Sequence, residues 1–171
     1  MSLLTMKFGG TSVGSADAIE RAADIVRSQA RAWDRVVVVV SAMSGVTDAL
    51  IRGARSAASG DDGTYRAIVS DLRARHYGVV DALFRPGPAG GPDLNGERAA
   101  LLAMVDQYLD EFAVFCHSVR ILGEVTPRAM DAISSLGEPL SARLLAVRLS
   151  RLGIESEAVD ATELIVTDDT F

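Results

Sequence analysis

The sequence predicts an α/β fold, with a mostly parallel sheet and flanking helices. Two stretches carry that expectation. Thr5–Phe8 is a short strand candidate that runs directly into Gly9-Gly10-Thr11-Ser12-Val13-Gly14 and then into a helical pattern. Five consecutive valines, Val36–Val40, lead through a second small-residue loop, Ser41–Thr47, into another helical pattern. Strand, loop and helix repeated in this order imply parallel strands joined by right-handed crossovers. Ligands of such folds bind at the carboxyl ends of the strands, and both loops fall at that end.

The elements follow in chain order. Ser15 is a good N-cap, and Ala18, Ile19, Ala22, Ala23, Ile25 and Val26 recur at helical spacing, so a helix should run to about Ala30. Arg35–Val40 reads as a strand buried on both faces, because its β-branched residues do not alternate with polar ones. A helix should begin near Thr47 or Asp48. Ser59–Gly63 reads as a turn, Tyr65–Phe84 as a helix, Pro86–Gly96 as a loop, and Glu97–Leu122 as a long amphipathic helix. These two helices, at about residues 64–122, read as an excursion from the sheet and not as a second domain. Thr126 and Pro127 supply an N-cap and an N1 proline. The helix they open should reach about Leu136, where Gly137 breaks it. Pro139 opens a further helix to Leu152, capped by Gly153. Ile154–Val159 is a further strand candidate, with a short one at Glu163–Val166.

Composition narrows the function. Of the 171 residues, 49% are hydrophobic and 23% charged, enough to bury a core, and with aromatics at 5% that core must be aliphatic. A formal net charge of −6 argues against a nucleic-acid binder, which neutralises phosphates with clustered Lys and Arg. A small phosphorylated ligand stays open, since a local site can oppose the global charge. Cys116 is the one cysteine and reads as a buried thiol, in keeping with a reducing cytoplasm. No run of about 18 apolar residues suggests a transmembrane helix. The stretch before the first glycines is too short for a signal peptide.

Three clusters could carry chemistry. In Lys7-Phe8-Gly9-Gly10-Thr11-Ser12 a glycine-rich turn joins a strand to a helix, so backbone N–H groups could approach an anion under a lysine. A surface lysine on an ordinary turn fits the spacing equally well. Ser15-Ala16 stands where a P-loop requires Lys-Ser/Thr, which disfavours that NTPase class. Ser41-Ala42-Met43-Ser44-Gly45-Val46-Thr47-Asp48 reads as a strand entering a helix, with Thr47 or Asp48 as a cap. In Ser134-Ser135-Leu136-Gly137-Glu138-Pro139-Leu140-Ser141, Glu138 reads as a first-turn charge. His76 and His117 lack metal-ligand spacing. Trp33 reads as packing near a helix end. Asp61-Asp62 and Asp168-Asp169 read as solvated turns, and Arg143, Arg148 and Arg151 as a solvated helix face.

Taken as whole strings, the three clusters resemble, in order, the three signatures of aspartate kinases within the amino acid kinase superfamily. The resemblance covers Met6 to Phe171, with Pro139 where the family often has leucine. It implies a three-layer α/β/α sandwich of the amino acid kinase type, of which this chain is the N-terminal lobe. The later nucleotide-binding part and the ACT regulatory domains would lie outside it. It implies transfer of the ATP γ-phosphate to the β-carboxylate of L-aspartate, the first step toward lysine, threonine and methionine. Lys7, Gly9, Gly10, Thr11 and Ser12 would hold ATP phosphates, with Lys7 catalytic. Ser41, Thr47 and Glu138 would bind the amino acid, Glu138 by its ammonium. Mg²⁺ would arrive with the nucleotide. The resemblance further implies a cytoplasmic protein, homo-oligomeric at full length, with no nucleic-acid or membrane partner. The chain alone would be inactive and would expose a sheet edge or apolar patch. Another amino acid kinase, or a non-catalytic binding or assembly module, are the alternatives.

Overall fold

A computed structural model describes residues 2–85 and 94–165. Strand β1 (Leu3–Phe8) pairs in parallel with β2 (Arg35–Val40), Leu3 opposite Arg35 and Lys7 opposite Val39. Between them runs α1 (Ala16–Gln29), whose Ser15 hydroxyl accepts the Ala18 N–H at 3.2 Å. Helices α2 (Val46–Ala58), α3 (Asp62–Leu83), α4 (Leu94–Leu122), α5 (Pro127–Ser134) and α6 (Gly137–Arg151) follow, with a 3₁₀ turn at Ala161–Glu163.

The core lies on one face of the sheet. Met6, Phe8, Val36, Val38 and Val40 join the apolar cluster formed with the helices, and α1 and α6 pack against β2. The valine run is therefore not buried on both sides as its sequence suggested. Val37 and Val39 are 48% and 46% exposed, and Leu3, Thr5 and Lys7 share their open face. A β-branched run looks the same whether one or both faces are covered, and among the described residues helices cover only one. The open face carries the exposed apolar patch expected from the sequence.

Helices α3 and α4 pack on each other and on α2. Gly53 of α2 makes this close approach possible, since a Cβ there would lie 2.6 Å from the Phe112 ring of α4. Asp106 joins α3 to α4, accepting from Arg73 Nε at 2.8 Å and from the Tyr77 hydroxyl at 2.6 Å. Cys116 is buried in α4, and burial pushes its thiol pKa up to about 12. No helix among the described residues is long and apolar enough to cross a membrane.

Several boundaries differ from the sequence reading. Asp61 is exposed as its sequence suggests, but it does more than sit in a turn. Its carboxylate caps α3 by accepting the Thr64 N–H at 3.1 Å, and this starts the helix three residues before Tyr65. Asp62 pairs with Arg120 at 2.8 Å. Leu94–Gly96, read as loop, belong to α4, while Pro86–Asp93 lie outside the described residues. Gly45, at φ 78°, occupies the N-cap position of α2, so neither Thr47 nor Asp48 is the cap. Ile154–Val159 keeps an alternating burial pattern but forms no strand, because no described strand lies beside it to complete a ladder. The Ser156 hydroxyl ties it instead to the Ala146 carbonyl of α6 at 2.9 Å. Glu163 closes the 3₁₀ turn, and Leu164 and Ile165 form no strand. Val166 and the Asp168-Asp169 pair lie outside the described residues.

The three α6 arginines are each engaged. Arg148 pairs with Glu20 of α1 at 2.5 Å, and Arg151 donates to the Leu83 carbonyl at 2.6 Å while stacking on Phe84. Arg143 lies over the Tyr108 ring.

Candidate functional site

The sheet sets the site's floor. Beyond the last paired residues, the Ser41 N–H donates to the Phe8 carbonyl at 3.1 Å, so both chains leave the sheet side by side. Two loops then form, 9–14 after β1 and 41–45 after β2. They are bonded to each other, Ser44 N–H to the Gly10 carbonyl at 3.0 Å. Gly10 has no room for a side chain, since a Cβ would stand 2.7 Å from the Ala42 carbonyl oxygen. At Gly14 a Cβ would come 2.9 Å from the Gly10 carbonyl oxygen. These two glycines are required by contact between backbones.

The third cluster reaches the same place from far along the chain. Gly137 does not break a helix; it is the first residue of α6. A Cβ on it would meet Ala42 Cβ at 2.6 Å and Val46 Cγ1 at 3.0 Å. Its bare backbone brings the helix start against the second loop. Pro139 is then tolerated in the first turn, where the N–H it lacks would have no intrahelical partner. Glu138, one residue on from Gly137, accepts the Ala42 N–H on Oε1 at 3.3 Å. Its other oxygen, Oε2, is buried and has no hydrogen-bond partner. One turn further, Ser141 is fully buried, and its hydroxyl is likewise unpartnered. A buried carboxylate oxygen left without a donor is costly, which makes this position receptive to a cationic or N–H-bearing ligand.

Lys7 is exposed on the open face, opposite Val39, and among the described residues it forms no ion pair. Thr11 and Ser12 present exposed side chains on the first loop, and Gly9 has open space where a Cβ would be. Ser41 and Thr47 are half-buried, flanking the second loop. All three sequence clusters therefore meet around Ala42. Chemically the arrangement offers an exposed ammonium and a glycine turn on one side, and a half-satisfied carboxylate on the other.

The sequence reading missed one participant. Arg75 of α3 donates to the Ser44 carbonyl at 2.7 Å and to the Gly14 carbonyl at 3.2 Å. It lies 31 and 61 residues from its partners, and no local pattern marks it. His76 beside it is a core residue. Its Nδ1 lies 2.7 Å from the Leu72 carbonyl, and burial holds its pKa below the ordinary histidine value.

The amino acid kinase family model matches residues 3–170. Aspartokinase 1 of Arabidopsis thaliana is 30% identical over 168 residues, covering 96% of this chain and 26% of that protein. The bifunctional aspartokinase/homoserine dehydrogenase 1 of Zea mays is 30% identical over 95% of this chain and 16% of its own length. Aspartate kinase of Pseudomonas fluorescens reaches 56% identity over 61 residues, 36% of this chain and 14% of that one. Escherichia coli aspartokinase III, solved with aspartate and ADP, superimposes with a TM-score of 0.66 at 27% identity, over 88% of this chain and 29% of its own. This chain thus spans about a quarter or less of the first two relatives. With the family model matching nearly its whole length and the fold shared with an aspartokinase, the chain belongs to the amino acid kinase family.

Proposed function

We propose that this chain forms the phosphate-loop and amino-acid-binding part of an aspartate kinase, the N-terminal portion of its catalytic domain. One observation carries the reading: Glu138 has one oxygen tied to the Ala42 N–H and the other buried and unpartnered, beside the loop that adjoins the glycine turn. A substrate α-ammonium would supply the missing donor as a charge-assisted bond. Ser41 and Thr47 would orient the rest of the amino acid. Lys7, the Gly9 and Gly10 amides, and the hydroxyls of Thr11 and Ser12 would hold the phosphates of ATP.

The chemistry needs no general base. The β-carboxylate of aspartate, with an ordinary pKa of about 3.9, is already ionised near neutrality. It attacks the γ-phosphorus and forms the acyl phosphate O–P bond. The bond from the γ-phosphorus to the bridging oxygen breaks, and its electron pair leaves on ADP. Lys7 neutralises charge on the transferring group, and catalysis rests on positioning and charge. Lys7 at the end of β1 and the glycine turn after it would offer a cation and amide donors, a set that suits phosphate oxygens. Mg²⁺ would arrive with the nucleotide substrate. The E. coli neighbour's complex with aspartate and ADP supports the same ligand pair.

Calorimetry on the chain tests this. L-Aspartate binding should weaken about 10- to 150-fold in Glu138→Gln, the loss expected for a charged hydrogen bond. MgADP binding should weaken in Lys7→Met and hold in Glu138→Gln. Aspartate binding unaffected by Glu138→Gln, or displaced equally well by L-glutamate, would overturn the assignment.

A further inference from the structure

Arg75 stands in the middle of α3, and its guanidinium spans the two loops of the site. One terminal nitrogen donates to the Ser44 carbonyl of the second loop, the other to the Gly14 carbonyl that ends the first. The segment that carries it is firmly seated. Leu72, His76 and Val79 are buried around it, and Arg73 and Tyr77 anchor the same turns to Asp106 of α4. A rigid element thus presents a planar fork to two backbones that already touch through Ser44 N–H and the Gly10 carbonyl. Guanidinium suits this task because its donors diverge in fixed directions, whereas an ammonium is a point donor on a flexible stem.

We propose that Arg75 is a positioning residue that locks the first and second loops into one register, so that what binds on one loop is held at a set distance from what binds on the other. The identity of those ligands rests on the function proposed above; the coupling of the loops does not. The helical excursion thereby has a direct part in the site.

Hydrogen–deuterium exchange on wild type, Arg75→Lys and Arg75→Met tests this. The reporters are the Ser12 and Ser44 amides, which donate within and between the loops, set against the core amides of Phe112 and Cys116. In Arg75→Met the two loop amides should exchange about tenfold faster or more, the change expected when a charged hydrogen bond is lost, with the α4 amides unmoved. Arg75→Lys should restore only part of the protection. Calorimetry should show Arg75→Met weakening both L-aspartate and MgADP, whereas Glu138→Gln weakens the first alone and Lys7→Met the second alone. Loop exchange unchanged in Arg75→Met, or acceleration shared equally by every core amide, would mean a merely structural arginine and overturns the proposal. If the wild type binds neither ligand, the proposed function fails, while the exchange result still decides whether Arg75 couples the loops.

Discussion

Replacing Gly137 by alanine puts a methyl carbon 2.6 Å from Ala42 Cβ and 3.0 Å from Val46 Cγ1. Carbon atoms rest at about 3.5–4.0 Å, so the start of α6 must retreat from the second loop by roughly 1 Å. A retreat of that size lengthens the 3.3 Å bond between the Ala42 N–H and Glu138 beyond hydrogen-bonding range. Overpacking of this kind costs about 1–3 kcal/mol, and the lost charged bond adds about 1.5–3. Against this stands a helix-propensity gain of at most about 1 kcal/mol, smaller at a first helical residue. The net expectation is a destabilisation of about 1.5–6 kcal/mol, read as a lower urea midpoint with an unchanged slope. The double variant Gly137→Ala/Ala42→Gly removes the opposing methyl and should recover most of the loss, giving a coupling term well outside additivity. A Gly137→Ala midpoint equal to wild type, or no rescue by Ala42→Gly, would refute the claim that contact at this glycine seats Glu138.

Three further outcomes follow from the packing. Burial and the Arg75 charge hold the His76 pKa below its ordinary value, while its bond to the Leu72 carbonyl opposes them. The unfolded chain therefore takes up a proton that the folded chain refuses. Stability should fall as pH drops below about 6.5, at up to about 1.4 kcal/mol per pH unit, and His76→Leu should flatten this slope in urea titrations between pH 7.5 and 5.5. Equal slopes in the two proteins would count against it. The partly exposed Arg148–Glu20 pair should show a coupling of about 0.5–1 kcal/mol in a double-mutant cycle, shrinking in 1 M salt; salt-independent coupling would rule out an ionic origin. Cys116, buried and with its thiol pushed up to about 12, should resist a disulfide reagent at pH 8 until the protein unfolds, so rapid native labelling would contradict its burial.

Local signals were legible where backbone chemistry is local. The Ser15 cap, the glycine turn after β1 and the valine strand can each be read from a few neighbouring residues, and each stands where its pattern places it. What covers a strand cannot be read that way, so the valine run reads as buried on both faces while Val37 and Val39 stand exposed. Ile154–Val159 shows the same limit from the other side, since alternation makes a strand only when a partner offers a ladder. Gly137 was legible as a helix boundary but not as a contact, because its reason is the Ala42 methyl 95 positions earlier in the chain. Arg143 of α6 is exposed as its sequence suggests, but Arg148 and Arg151 read as solvated too, because charge is the strongest local cue. Their partners Glu20 and Leu83 come from other helices. Arg75 was invisible for the same reason. Of the candidate site, the three motifs could be named from sequence, and their meeting around Ala42 needed the fold.

The most direct measurement is a crystal structure of the chain with L-aspartate and MgADP. The account predicts the aspartate ammonium within about 3 Å of Glu138 Oε2 and the nucleotide phosphates over the 9–12 turn beside Lys7. Aspartate seated away from Glu138, with that oxygen still buried and unpartnered, would contradict it.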